Sequence, residues 1–261
     1  MPIAEIILST ASLFSFSLQD AFRLAAEAGF NGVELMVTKR EDTQSAATVT
    51  ALAEANRLRV RAVHAPFLLA AKKVWGDHRG KIERSLEMAK GLGSRVVVVH
   101  LPYFWQWGYA RWLRREAGTF GEAYGVTVAV ENAMLVKAHR PLNLSLFNGL
   151  EDLTGFRHLV FDTSHFAIAS VDIFRAWERL RDRVCHVHLS NNYLKGFDDH
   201  ALPFEGRLPL DRFLRVLSRD GFDGCVSLEL GPGPLEARLG EERLLCNLRR
   251  SLEFCREHLG A

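Results

Sequence analysis

Six residues able to hold a cation or move a proton, His64, His100, Glu131, Asp162, His188 and Glu229, sit at the ends of short apolar runs. The runs are LRVRAVH (58–64), RVVVVH (95–100), GVTVAVE (125–131), RHLVFD (157–162), VCHVHLS (184–190) and CVSLEL (225–230). A titrating group at the end of a buried strand costs stability unless it is paired or coordinated, so packing does not explain a pattern repeated six times. Two short motifs extend the set. In Asp162-Thr-Ser-His165 an imidazole lies one turn past the carboxylate, and in Asp198-Asp199-His200 an extended D-x-H would send Asp198 and His200 to one side. Either motif alone reads as structural; joined to the six strand ends, both read as ligands. By strand parity His186 shares a side with His188, so His188 is the expected ligand and His186 a second-layer or core histidine.

These donors are carboxylates and imidazoles without thiolate, a set that suits zinc, manganese, iron, cobalt or magnesium, with imidazole favouring zinc over magnesium. The expected cofactor is a divalent metal, zinc or manganese. Glu131, Asp162, His188 and Glu229 suffice for one ion. Adding His64, His100, His165, Asp198 and His200 over-supplies it and implies two or three. Glu131, Glu229 and His165 are the candidates for proton transfer. Expected substrate contacts are Glu34, Phe67, Trp105, Trp107 and Lys195. For Glu34 a pairing with a neighbouring lysine or arginine is an equal alternative, and for the aromatics so is lid packing.

In a barrel, in preference to an open doubly wound sheet or a two-domain split, the six strand ends converge on one rim, the C-terminal mouth where barrel active sites lie. Two earlier runs, IAEIILS (3–9) and GVELMV (32–37), bring the strand count to eight. Between the runs lie stretches with helical periodicity: 18–29, 48–57, 79–93, 110–125, 174–182, 208–221 and, after the last strand, 241–260. Gly29, Gly93 and Gly125 stand where left-handed caps would end helices. The expected architecture is a single (β/α)₈ TIM barrel over residues 1–261. Within the fifth strand, parity puts Ala129 and Glu131 inside the barrel and Val128 and Val130 outside. Neither G-x-G-x-x-G nor G-x-x-x-x-G-K-[ST] occurs, which disfavours an open dinucleotide-binding sheet.

The chain has 261 residues, 48% hydrophobic and 25% charged, with a net charge of +2, enough for a full core but giving no electrostatic case for tight polyanion binding. The start MPIAEIILSTASLF lacks a basic segment, and no run approaches the roughly 20 apolar residues of a membrane span, so a cytoplasmic protein is expected. Cys185, Cys225, Cys246 and Cys255 form no C-x-x-C pair and are expected as free thiols.

The sequence resembles the xylose-isomerase-like barrel superfamily, which holds sugar isomerases and epimerases together with the endonuclease IV family of abasic-site nucleases. AAEAGFNGVEL (25–35), VHAPF (63–67), VVVVHLP (96–102), VAVEN (128–132), FDTSH (161–165), HVHLSN (186–191), DDHALPFEGRLPL (198–210) and SLEL (227–230) carry the likeness over essentially the whole chain. In the epimerase branch the resemblance implies one ion on Glu131, Asp162, His188 and Glu229, with the glutamates trading a proton with a small sugar-like substrate. In the nuclease branch it adds His64, His100, His165, Asp198 and His200 and implies a trinuclear zinc phosphoesterase acting on abasic DNA.

The opening ILSTASLFSFSLQDAF is of the isomerase type, and VENAMLVKAHRP lacks the Gly-Gln-Gly of the nuclease. The epimerases' second glutamate would fall at Lys137 and their substrate arginine at Leu194. Three readings follow: a metal-dependent isomerase or epimerase; an abasic-site phosphoesterase contacting nucleic acid through Arg111, Arg114, Arg115, Trp105 and Trp107; and a non-catalytic barrel. In the first and third, ARWLRREAG is a solvated helix face.

Overall fold

The computed structural model describes residues 4–67, 71–135 and 142–260. Lys137 therefore lies outside the described residues. Eight strands, β1 (Glu5–Ser9), β2 (Gly32–Met36), β3 (Arg59–His64), β4 (Val96–His100), β5 (Thr127–Glu131), β6 (Leu159–Asp162), β7 (Val184–Leu189) and β8 (Cys225–Leu228), close in chain order into one parallel barrel. The helices are α1 (Leu18–Ala28), α2 (Ala46–Asn56), α3 (His78–Gly91), α4 (Trp107–Arg115), α5 (Ala117–Glu122), α6 (Leu150–Leu153), α7 (Thr163–Ile168), α8 (Ile173–Leu180), α9 (Leu210–Arg219) and α10 (Glu241–Leu259). The expected TIM barrel is what forms. No helix among the described residues is long and apolar enough to cross a membrane.

Strands buried on both faces read as continuous apolar runs, and their two faces enter different cores. Outward residues such as Val97, Val99, Val128, Val130 and Phe161 join the large core under the helices. Val98, Ala129 and Val160 form a separate small cluster, with Val96 and Cys185 packed against it, and by parity this is the plug inside the barrel. Ala129 thus stands inward as expected, and Glu131 lies on its face, two residues nearer the mouth. Register then sets neighbours: His100 pairs with Glu131 across β4 and β5, and Asp162 pairs with His188 across β6 and β7.

The helix expected over 110–125 is in fact two. Glycines at 118 and 121 weaken it, and a Cβ at Gly121 would stand 2.5 Å from the Val126 carbonyl oxygen, so only glycine permits the tight return into β5. The six-residue α7 has too little sequence for a periodicity to show; Asp162 caps it, its side chain accepting from the His165 N–H. Gly29, Gly93 and Gly125 adopt the expected positive φ.

The loop after β7 carries Asp198 and His200, and one buried side chain closes it. Asn191 Nδ2 donates to the carbonyls of Pro203 (3.0 Å) and Leu208 (3.1 Å), while its Oδ1 accepts from the N–H groups of Asn192 and Leu208, each at 2.8 Å. Asn191→Ala would strand these groups away from water. It is expected to destabilise the fold by about 3 kcal/mol in urea-unfolding titrations.

Candidate metal centre

Glu131 is the hub of the barrel mouth. Its carboxylate lies 2.9 Å from His188 Nδ1, 3.2 Å from His100 Nε2, 3.4 Å from His64 Nε2 and 3.6 Å from His165 Nδ1. His188 Nδ1 also faces Glu229 Oε2 at 3.1 Å and Asp162 Oδ2 at 3.8 Å. One ligand atom each from Glu131, Asp162, His188 and Glu229 fall within 4.8 Å of one another, as do those of His64, His100 and Glu131, and those of His165, Asp198 and His200. The nine residues expected as donors are therefore brought together as three groups, the first two sharing Glu131.

The ring orientations suit ligation. A carbonyl oxygen only accepts, so the nitrogen facing it carries the proton. His64 Nδ1 faces the Ala65 carbonyl (3.2 Å), His165 Nδ1 the Asn132 carbonyl (2.7 Å) and His200 Nδ1 the Glu229 carbonyl (2.9 Å). In each, Nε2 is left to face the carboxylates. His188 is reversed: Nε2 donates to Glu34 Oε2 (3.1 Å), which turns Nδ1 toward Glu131 and Glu229. Glu34 also accepts from His186 Nε2 at 2.6 Å, and all three side chains are fully buried.

Asp198 receives Ser164 Oγ at 2.6 Å on one oxygen and faces His165 Nε2 (3.1 Å) and His200 Nε2 (2.9 Å) with the other. The pair Asp198 and His200 does meet, but the expected extended segment does not cause it. His200 has φ 42°, in the left-handed region that residues other than glycine seldom occupy.

Above the cluster opens a cavity of about 520 Å³, whose walls include His64, His100, Glu131, His165, His200 and Glu229. Phe67, expected as a substrate contact, lines it. Trp105 and Trp107, expected as substrate contacts, do not; they are 55% and 60% exposed, and Trp105 stacks outside on Tyr103 with centroids 4.9 Å apart. Lys195 is exposed, its Nζ 5.5 Å from the Tyr193 ring centroid and away from the cavity. Glu34 reaches neither substrate space nor a lysine or arginine; it lies beneath the mouth between two histidines. Sequence reasoning missed Phe14, Met36, Thr38, Gln106 and Ser145 in the cavity wall. Met36 follows Glu34 by two in GVELM, so strand parity was the available signal for it.

Residues 22–257 match a family model described as xylose isomerase-like TIM barrel. The chain belongs to this family. An uncharacterised protein of Mycobacterium leprae is 32% identical over 99% of both chains. Among solved structures, a D-tagatose 3-epimerase-like protein superposes with a TM-score of 0.71 at 22% identity, covering 98% of this chain and 97% of that one. An AP endonuclease, family 2, from Brucella melitensis gives 0.70 at 23%, covering 92% and 97%. At these identities the structural likeness establishes the fold alone.

Whether this member of the family suits a divalent ion is answered by its own atoms. Asp162 Oδ2 is buried without a hydrogen-bond partner, although it belongs to the four-residue group. Burial, opposed by His165 and His188 and reinforced by Glu131 and Asp198, lifts the Asp162 carboxyl to about 6. Burial alone would push His188 down, but Glu34, Glu131 and Glu229 outweigh it and hold the imidazole well above its ordinary range; Asp162 and Asp198 do the same for His165. The metal-free cluster thus holds protons where a cation would neutralise the carboxylates directly. The donor set fits a divalent ion.

Two outcomes are expected. Binding of zinc or manganese should release protons and strengthen as pH rises, read by calorimetry in buffers of different ionisation enthalpy. Despite burial, Asp198 raises His200 to about 9. A raised imidazole stabilises the fold fully below its unfolded value near 6.5, and that contribution is lost as pH climbs through about 9. The melting temperature of metal-free protein should therefore fall across that window, while that of metal-loaded protein should not. Separately, Glu34→Gln keeps the shape but weakens the hold on His188. It should lower metal affinity about 10- to 100-fold with the fold retained.

Proposed function

We propose that this protein is a cytoplasmic, divalent-metal-dependent isomerase or epimerase that moves a proton on a small hydroxy-carbonyl compound of the sugar or polyol type. The observation that carries this reading is that Glu131 and Glu229 meet at His188 and both open onto one cavity of small-molecule size. An ion held by Glu131, Asp162, His188 and Glu229 would polarise adjacent substrate oxygens and make the C–H between them acidic. Glu229 or Glu131 takes that proton, and the same or the other glutamate returns it. His165, held by the Asn132 carbonyl, lies at the cavity wall where it can pass a proton to a substrate oxygen.

A second reading, a multinuclear zinc phosphoesterase acting on abasic DNA, is favoured by the completeness of the three donor groups. Against it, no lysine or arginine is among the described residues lining the cavity, whereas nucleic-acid affinity comes chiefly from neutralised phosphates. The aromatics expected to contact bases stand outside the cavity.

Metal-loaded protein incubated in deuterium oxide with a panel of ketoses, aldoses and inositols is expected to place deuterium on a substrate carbon. Glu229→Gln should lower that exchange by about 10²- to 10⁴-fold. An abasic duplex should remain intact, and metal analysis should return about one tightly held ion per chain; nicking of the duplex with about three ions would move the assignment to the phosphoesterase.

A further inference from the structure

Beside the metal cavity, on the same mouth of the barrel, lies a second cavity of about 280 Å³ between the loops that follow β1 and β2. The two are contiguous: Ala11, Phe14, Met36 and Thr38 line both. Met36 stands on the inward face of β2, one step above Glu34, so the shared wall begins directly over the donor cluster.

The chemistry of this annex is apolar. Leu13, Phe14, Phe16, Met36 and Val37 form much of its surface. Of its polar groups, those of Thr10, Thr43, Ser17 and Arg40 are engaged with the protein, while the exposed Lys39 also lines it. Thr10 Oγ1 accepts from the Met36 N–H (2.8 Å), Thr43 Oγ1 donates to the Arg40 carbonyl (2.7 Å), and Ser17 Oγ caps α1. The Arg40 guanidinium is held by Asp42 and the Phe16 carbonyl. A polyol chain entering here would give up water and find few free partners, at a cost for each unpaired hydroxyl. An alkyl or aryl group would lose nothing and cover Phe14, which is 64% exposed. Space is not limiting, since an apolar cavity of about 150 Å³ already accepts benzene.

We infer that the annex is a substrate subsite for an apolar substituent, so that the substrate is a metal-chelating hydroxy-carbonyl compound bearing an alkyl or aryl group on one flank. This rests on the metal-dependent reading of the adjoining site and narrows its substrate class. The main cavity agrees, because Phe67, Leu101, Met134, Leu144 and Leu230 make most of its wall apolar as well.

The test compares two chelators with one head, acetohydroxamate and 4-phenylbutanohydroxamate, titrated calorimetrically into zinc-loaded full-length protein. Burial of a methylene strengthens binding by about four-fold, so the phenylbutyl compound should bind more than about 10-fold tighter. Phe14 is exposed, so Phe14→Asp should fold; it should bring the ratio of the two affinities close to one, and Phe14→Leu should keep most of it. Equal affinities in the natural protein, or a gain that survives Phe14→Asp, would overturn the annex while acetohydroxamate binding leaves the metal-dependent reading standing. Binding of neither compound would overturn both.

Discussion

A buried carboxylate without a counter-charge is among the most costly things a protein interior can hold, and this barrel buries several at one end. Glu131 is 3% exposed, Asp162 and Glu34 fully buried, and Glu229 stands beside them. Imidazoles face them, four around Glu131 and two around Glu34, and of these His165 and His188 are held well above their ordinary range. With protons on His165 and His188 the cluster is tolerable, and with a divalent ion in place of those protons it is neutralised by a charge at its centre. Metal affinity and fold stability are therefore drawn from the same groups, which is why both depend on pH.

The supporting frame shows how much of the chain is committed to that end. Three of the mouth histidines are oriented by backbone carbonyls that the strands and loops bring within reach, and His188 by a carboxylate on the far side of the barrel. Asn132 ties the ends of β5 and β6 together, its amide exchanging bonds with the Asp162 backbone at 2.8 and 3.1 Å. Thr163 joins α7 to β7 through the Ser190 carbonyl at 2.7 Å. Side chains held from behind in this way lose little freedom when a ligand arrives, so binding energy is not spent on ordering them.

The fold and the convergence of the nine side chains were legible in the sequence because both follow from short-range rules. Period-two alternation placed Ala129 and Glu131 inward, and strand ends of a closed barrel converge whatever the loops do. What lay beyond reach depends on distant partners or loop direction. Glu34 meets His186 and His188 across about 150 positions of sequence, which no local pattern announces. Trp105 and Trp107 fall in the loop after β4 and the first turn of α4, where the side a ring faces is decided by tertiary packing. His200 reaches Asp198 through a left-handed backbone, although the D-x-H spacing suggested an extended one. Phe14 lies just after a short 3₁₀ turn and carried no signal for the cavity it lines.

The donors do not choose between the reactions the family fold can host, since the same nine side chains would serve proton transfer with one ion or phosphoryl chemistry with three. The walls discriminate better. Phosphodiester chemistry needs cationic side chains along a groove, because the backbone's charge dominates its affinity. A free polyol needs unpaired polar groups for its hydroxyls. The cavity over Glu131 offers, among its described residues, no cationic wall, and its polar groups beyond the donors are few: Thr38, Tyr103, Gln106 and Ser145, with Gln106 Oε1 engaged by the Tyr103 N–H at 2.8 Å. A floor of carboxylates and imidazoles under an apolar roof suits a ligand polar at one end and apolar at the other. That division, set by Glu131 below and by Phe14, Met36 and Phe67 above, supports the proposed substrate class more directly than the donors do.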